Sequence, residues 1–457
     1  MSICFGADHS PEAVGKWAKK CGIFLHPDVA FLVPTKTMGF GVFARKPLKA
    51  GSVIVSCPFA RCISPYAEKN SVESPCVKAL AEMHITDNVL FVVLRLMAEA
   101  VRPLSPWMPW LSACPRMPNH FFDVAAVGPV FGLAPSADTG KAPTAGVPLT
   151  WTGVSQQLHD LNLEGRWSAA QEVIRRHPEH WPEEKATFEL FCECLAQVLS
   201  RNFYREEIEG REGPYLIPCL DIINHSFTAN GKFEVRGGGR KHPMEFCVVA
   251  AREICRGEQV FCSYGRIGAS RFVVEFQFVT DSIVKEDMLR FSVDVIAEMT
   301  LALISLESES LSSAVDLANI QRRIEWLQRL GILFDEGFYV SRLPSAAAGG
   351  GDLPASTAKE IQTLFNVFYL LTVGASTFEN LTRSINREWQ VERKGEVVAL
   401  VLRLLAMRAE GARAQLAAAE VHFAEAQHHA RRKMLQMSLN SELEMIQLLQ
   451  KHLGEPC

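Results

Sequence analysis

The stretch from Leu216 to Gly265 constrains the fold more than any other part of the chain. It reads LIPCLDIINHS, then a loop, then EFCVVAAREICRGEQVFCSYG. A polar cluster, Asp221, Asn224, His225 and Ser226, directly follows an apolar run, and a second apolar run ends on Tyr264-Gly265. Hydrogen-bonding groups at the end of a buried segment sit on a rigid scaffold, which is what a site requires. The segment VRGGGRKHP between the two halves predicts a mobile loop joining two strands.

Upstream, AFLVPTKTMGFGVFARKPLKAGSVIVSCPFARCIS sets short apolar runs (Ala30 to Val33, Gly41 to Ala44, Ser52 to Ser56) between Gly and Pro. That punctuation predicts β-hairpins. Val14 to Phe24 predicts a short helix. In ITDNVLFVVLRLMAEA the wide apolar face predicts a helix capped at Thr86 or Asp87. SPWMPWLSACPRMPNHFF is dense in Pro and Trp and is expected to be irregular, and GPVFGLAPSADTGKAPTAGVPL to be a flexible insertion. Helical patterns return from Trp151 to Phe203. From Asp287 onward Ala, Leu, Glu, Arg and Gln dominate and strand-like alternation stops, so a separate helical domain is expected, interrupted by PSAAAGGGDLPAS.

At 457 residues the chain has room for two or three domains. A net charge of −4 argues against a nucleic-acid partner. No apolar run reaches membrane-spanning length, because Arg95 interrupts the longest one, so no membrane partner is expected. The first residues lack the apolar core of a signal peptide. Thirteen cysteines, scattered in apolar contexts, read as buried free thiols in a reducing compartment, cytoplasm or nucleus.

Gly39-Phe40-Gly41-Val42-Phe43-Ala44 fits a dinucleotide fingerprint, but Pro47 and Gly51 follow too soon for the helix such a site needs. The glycines instead suit close approach of backbone or ligand in a β-turn. Cys192 and Cys194, His177 and His180, and His428-His429 are not spaced as metal ligands, and no metal is expected. Taken alone, His225 reads as a general base or as a hydrogen-bonded structural residue, and Tyr264 as an ordinary strand-end aromatic.

Together, GFGVFA, SRNF (Ser200 to Phe203), DIINHS and REICRGEQVFCSYG resemble the SET-domain methyltransferases, and more narrowly the Rubisco large-subunit methyltransferase type. The resemblance implies an α+β fold: a pseudoknotted, β-rich SET domain over 1–280, split by a helical insertion at about 66–213, and an all-α substrate-binding domain over 287–457. It implies S-adenosylmethionine as cofactor and a protein substrate docked on the C-terminal helices. By the same resemblance Asn224 and His225 anchor the cofactor, with Asp221 and Arg201 beside them. The backbone at Gly41, Val42 and Phe43 and the ring of Phe278 complete its pocket, and Tyr264 stands at the transferring methyl group. Phe203 lines the substrate channel and favours lysine as acceptor. Two positions depart from the family pattern: Gln277 stands where a glycine precedes Phe278, and Tyr66 where many members carry an acid. Lysine N-methylation of a non-histone protein is thus expected, with histidine methylation or a silent SET-fold binding protein as alternatives.

Overall fold

Short runs rich in Val, Phe and Cys, each closed by Gly or Pro, set the strand lengths of this protein. The computed structural model describes residues 4–66, 74–131, 151–205, 208, 210–238, 243–306, 317–344, 353–383, 389–392 and 395–454. They divide into two compact units, 1–119 with 163–266 and 120–162 with 267–457.

In the first unit the strands are β1 (Phe24–Leu25), β2 (Val29–Pro34), β3 (Phe40–Ala44), β4 (Val53–Pro58), β5 (Asn202–Phe203), β6 (Tyr215–Leu216), β7 (Asn224–His225), β8 (Gly231–Arg236), β9 (Glu245–Ala250) and β10 (Gln259–Cys262). One sheet has the order β1-β4-β9-β8 and another β2-β3-β10-β7, and β5 pairs with β6. Of the hairpins expected near the start of the chain, β2 and β3 form one, whereas β4 pairs with β1 and β9 in the other sheet. GFGVFA forms strand β3 after a turn in which Gly39 has φ +65°, so no dinucleotide helix begins there.

Helix Pro11–Lys20 is capped by Ser10, whose hydroxyl accepts from the Ala13 amide at 3.2 Å. Helix Asn88–Val101 is capped by Asp87, not Thr86, through the Val89 and Leu90 amides at 2.9 and 3.1 Å. Arg95 in that helix is buried, and it donates to the Ser64 carbonyl (2.8 Å) and the Ser74 hydroxyl (3.1 Å). A buried guanidinium is tolerable only with such acceptors. The SPWMPWL stretch, expected to be irregular, contains helix Met108–Ala113. Its Pro109 lies in the first turn, where the missing N–H costs nothing. Likewise Gly128 to Phe131 of the expected flexible insertion belong to helix Val124–Phe131, while residues 132–150 lie outside the described residues. The loop 239–242, within VRGGGRKHP, and residues 345–352 of the linker-like tract also lie outside them.

The second unit is helical, with one two-stranded antiparallel ladder, β11 (Met288–Phe291) on β12 (Phe338–Ser341). All four β11 residues are buried, so this strand carries no alternation for a sequence pattern to reveal. Trp151 joins Phe291, Ile296, Ile324, Phe365, Leu405 and Ile446 in its core. Buried polar ties explain why residues 120–162, expected within the SET insertion, pack in this unit. The Gly153 amide donates to Glu442 (2.9 Å), Thr152 to Gln415 (2.7 Å), and Gln156 to the Arg290 carbonyl (3.0 Å). The units also part after Arg266, earlier than the expected boundary between 280 and 287.

Asp287 is a buried carboxylate that accepts from the amides of Ala269 (2.7 Å) and Met288 (2.8 Å) and from the Ser441 hydroxyl. Burial, which outweighs these hydrogen bonds, pushes its pKa from 3.8 up to about 6. Between those values the folded chain holds a proton that the unfolded chain has released, so stability falls as pH rises through this window. We expect Asp287→Asn to remove this loss, about 3 kcal/mol across the window. Urea midpoints measured from pH 4.5 to pH 7 should have a shallower pH dependence in the variant. Parallel profiles for the two proteins would contradict the assignment.

Candidate active site

β7 is only two residues long, and its position comes from a parallel ladder to β10 that pairs Asn224 with Phe261 and His225 with Cys262. The chain enters it through a tight turn. The Asp221 amide donates to the Ile217 carbonyl (3.3 Å), the Ile223 amide to the Leu220 carbonyl (3.1 Å), and Cys219 takes φ +70°. The ladder carries the end of β10 past His225, so the Tyr264 and His225 rings lie 5.1 Å apart. Tyr264 is fastened at both ends. Its amide donates to His225 Nδ1 (3.1 Å) and its hydroxyl to the Ile223 carbonyl (3.0 Å).

That geometry settles the proton positions. Nδ1 of His225 accepts, so in the neutral ring Nε2 carries the hydrogen. Burial pulls the His225 pKa from 6.5 down to about 4, so the ring stays neutral at pH 7. Burial also pushes the Tyr264 phenol well above its usual range. At neutral pH it is a hydrogen-bond donor, not a base.

Arg201 ends helix Phe188–Arg201, whose N-terminus is capped by Thr187. Its Nη1 donates to Asp221 Oδ2 (3.0 Å) and to the Asp221 carbonyl (3.3 Å). Trp110 Nε1 donates to the same carboxylate at 3.2 and 3.3 Å. The Asp221 side chain is wholly buried, and burial raises its pKa against the opposing pull of Arg201.

An open cavity lies against this pair. Leu32, Met38, Gly39 and Phe40 form one wall, Trp110 and Ala113 to Pro115 another, and Arg201, Asp221, Ile222 and Asn224 the rest. Leu32 reaches it because a bulge between Ala30 and Val33 gives it φ +56°. Bulges commonly re-aim a side chain beside a site in this way. Gly41 is next to this wall, and a side chain there would push on the amide ends of Gln259 and Asn224. A Cβ there would lie 2.6 Å from Gln259 Nε2 and 3.2 Å from Asn224 Nδ2.

Of the residues expected from sequence, Arg201, Asp221 and Asn224 line the cavity, and His225 and Tyr264 join them through β7 and β10. Val42 is fully buried in the sheet, and the wall is built one turn earlier than Gly41 to Phe43. Phe203 stacks on Phe233 at 5.1 Å and is not a lining residue. Phe278 lies in the second unit, 5.4 Å from the Phe272 ring. Tyr66 is bonded through its hydroxyl to the Gly213 carbonyl (3.0 Å). Gln277 has φ +58°, a left-handed conformation that favours glycine, and its Oε1 accepts from the His120 amide at 3.0 Å. Trp110, Ala113, Cys114 and Pro115 were not anticipated. The one available signal was the pair of tryptophans in SPWMPWL, whose N–H groups need partners when buried.

The cavity can hold a carboxylate. Arg201 has Nε and Nη1 committed to protein acceptors, and Nη2 makes no hydrogen bond among the described residues. A guanidinium that lines a cavity with an uncommitted N–H edge is a carboxylate receptor. Gln259 Nε2 is buried beside Gly41 without a hydrogen-bond partner among the described residues.

A family model described as the SET domain matches residues 39–265, from the turn glycine of β3 to the glycine after Tyr264. The chain thus carries a SET domain over those residues. Two similar curated proteins are the N-lysine methyltransferases SETD6 of Bos taurus and Mus musculus. The first is 22% identical over 73% of this chain and 71% of that protein, the second 22% identical over 60% and 55%. The SET domain's surroundings extend the likeness to solved structures. A crystal structure of the SET domain of LSMT bound to lysine and AdoHcy superposes with a TM-score of 0.59, at 15% identity, over 97% of this chain and 92% of that one. Rubisco LSMT bound to sinefungin and monomethyllysine gives 0.60, also at 15% identity, over 96% and 90%. The α+β fold, with β-rich SET sheets and a helical C-terminal region, is therefore that of the LSMT structures. No helix among the described residues is long and apolar enough to cross a membrane.

Proposed function

We propose that this protein is an S-adenosylmethionine-dependent protein-lysine N-methyltransferase acting on a non-histone protein. The observation that carries the reading is the convergence of Arg201, Asp221 and Asn224 on one cavity, with Tyr264 fastened to His225 and Ile223 beside it. Arg201 would take the cofactor's carboxylate. Asn224 and the backbone around it, with Gly41 leaving the needed space, would hold the rest. When bound, the cofactor supplies an electrophilic methyl group on a sulfonium sulfur.

The remaining work belongs to the chain. A free lysine amine has a pKa of about 10.4, and a dry channel lowers it toward the neutral, nucleophilic form. Tyr264 keeps its proton and fixes the local hydrogen-bond pattern, so it orients groups and takes no proton. Alignment of donor and acceptor with water excluded supplies a large share of the barrier reduction, about 7–11 kcal/mol in favourable cases. Phe203, with its stacked partner Phe233, offers an apolar wall suited to a lysine side chain. The names of the curated relatives favour the same acceptor. We assign protein docking to the helical second unit, and the cytoplasm or nucleus as location, where nine buried cysteines stay as thiols.

Two measurements test the reading. S-adenosylmethionine at 100 times its Kd should stabilise the protein by about 2.7 kcal/mol, seen as a rise in Tm. Incubation with labelled cofactor and cell extract, followed by mass spectrometry, should give methyl-lysine. Methyl-histidine would transfer the assignment to the other acceptor, and no rise in Tm would remove the cofactor.

A further inference from the structure

Arg201 does not hold its own position, and the residue that fixes it makes no contact with the cavity. One helical turn earlier, Gln197 accepts from Arg201 Nε at 2.7 Å. Its amide cannot turn over. Nε2 already donates to the Pro115 carbonyl (2.6 Å) and to Glu193 Oε1 (2.9 Å), so only Oε1 is left to face Arg201. Glu193 is itself buried, and its Oε1 also accepts from the Met117 amide at 2.9 Å. The side chains of Glu193, Gln197 and Arg201 thus stack along one helix face at i, i+4, i+8 spacing. This row ends on Asp221, which Trp110 holds from the far side.

We propose that Gln197 is a positioning residue for cofactor binding, and that it acts in two ways through this single amide. Its oxygen sets the rotation of the Arg201 guanidinium, with Asp221 as the second fixed point. With Nε and Nη1 both held, the guanidinium is fixed in rotation, and Nη2 is the nitrogen left over on a residue that lines the cavity. Its nitrogen pins Pro115, a lining residue, and through Glu193 it pins Met117 as well. The wall and the receptor edge are therefore set by one side chain that is itself only 2% exposed. A ligand that meets both needs them in one relative placement, so the effect of Gln197 falls on affinity and not on the reacting atoms.

The proposal rests on the methyltransferase reading, and the experiment separates the two. Cofactor affinity is measured by calorimetry for wild type, Gln197→Met, Arg201→Lys and the double variant, each with its Tm. Methionine keeps the length and volume but none of the three hydrogen bonds. The expected result is an approximately tenfold weaker Kd for Gln197→Met, kcat at saturating cofactor within about threefold, and no further weakening when the change is added to Arg201→Lys. A fall in Tm with unchanged affinity overturns the proposal, since Gln197 would then only hold the fold. Additive losses in the double variant also overturn it, since Gln197 would not be acting through Arg201. Failure of the wild type to bind S-adenosylmethionine would instead sink the functional reading.

Discussion

Replacing Tyr264 by Phe should lower kcat at least 100-fold while cofactor affinity stays within about threefold. Misplacement of reacting groups by roughly 1 Å is enough for a loss of that size. The hydroxyl is the only atom removed, and it is the atom that ties the ring to the Ile223 carbonyl at 3.0 Å. That carbonyl lies between Ile222 and Asn224, two residues that line the cavity. Without the bond the ring loses the anchor at its hydroxyl end. The amide bond to His225 remains, so the backbone of the site should persist. Stability should fall by only about 1 kcal/mol, the net value of one hydrogen bond. Single-turnover rates and calorimetry would separate the two effects. A variant with full activity would show that the phenol has no part in the transfer.

The second large effect is expected at Asp221. Its carboxylate is fully buried and neutralises Arg201, whose side chain is only 12% exposed. Asp221→Ala leaves that guanidinium with a buried charge and no counter-ion, and it takes an acceptor from Trp110. Breaking a buried pair from one side costs about 3–5 kcal/mol. The urea midpoint followed by tryptophan fluorescence should drop accordingly, and cofactor binding should be lost with it. The pair Asp221→Leu with Arg201→Met should recover much of the stability and none of the binding. Equal stability of the single and the double variant would mean that the charge on Arg201 is solvated in a way the hydrogen bonds do not indicate.

What could be read from the sequence depended on how local the cause was. Asp87 as a cap, GFGVFA as a strand and the helical run before Arg201 are set by neighbours within a few residues, and all three stand in the structure. Helix Met108–Ala113 was missed because prolines were weighed as breakers, although Pro109 falls in a first turn where it is harmless. Trp110 and Asp221 are 111 residues apart, and no periodicity links them. The same is true of Gln197 and Pro115, 82 residues apart. Gln277 shows a different limit. The resemblance marked it as a glycine position, and the backbone angle of +58° gives the reason for glycine there. The hydrogen bond from His120, 157 residues away, gives glutamine a role that glycine lacks. The boundary after Arg266 was out of reach as well, because it depends on which helices share a core and not on composition.

The parallel ladder between β7 and β10 has one more consequence. Its two rungs match Asn224 to Phe261 and His225 to Cys262. In a strand, side chains alternate between faces, so a shift of one residue would reverse every one of them. A single insertion or deletion between Cys262 and Tyr264 would therefore turn the phenol away from the imidazole, with every named residue still present in the chain. Searches for active relatives should accordingly count residues across this join, because its length, as much as its letters, records whether the catalytic geometry survives.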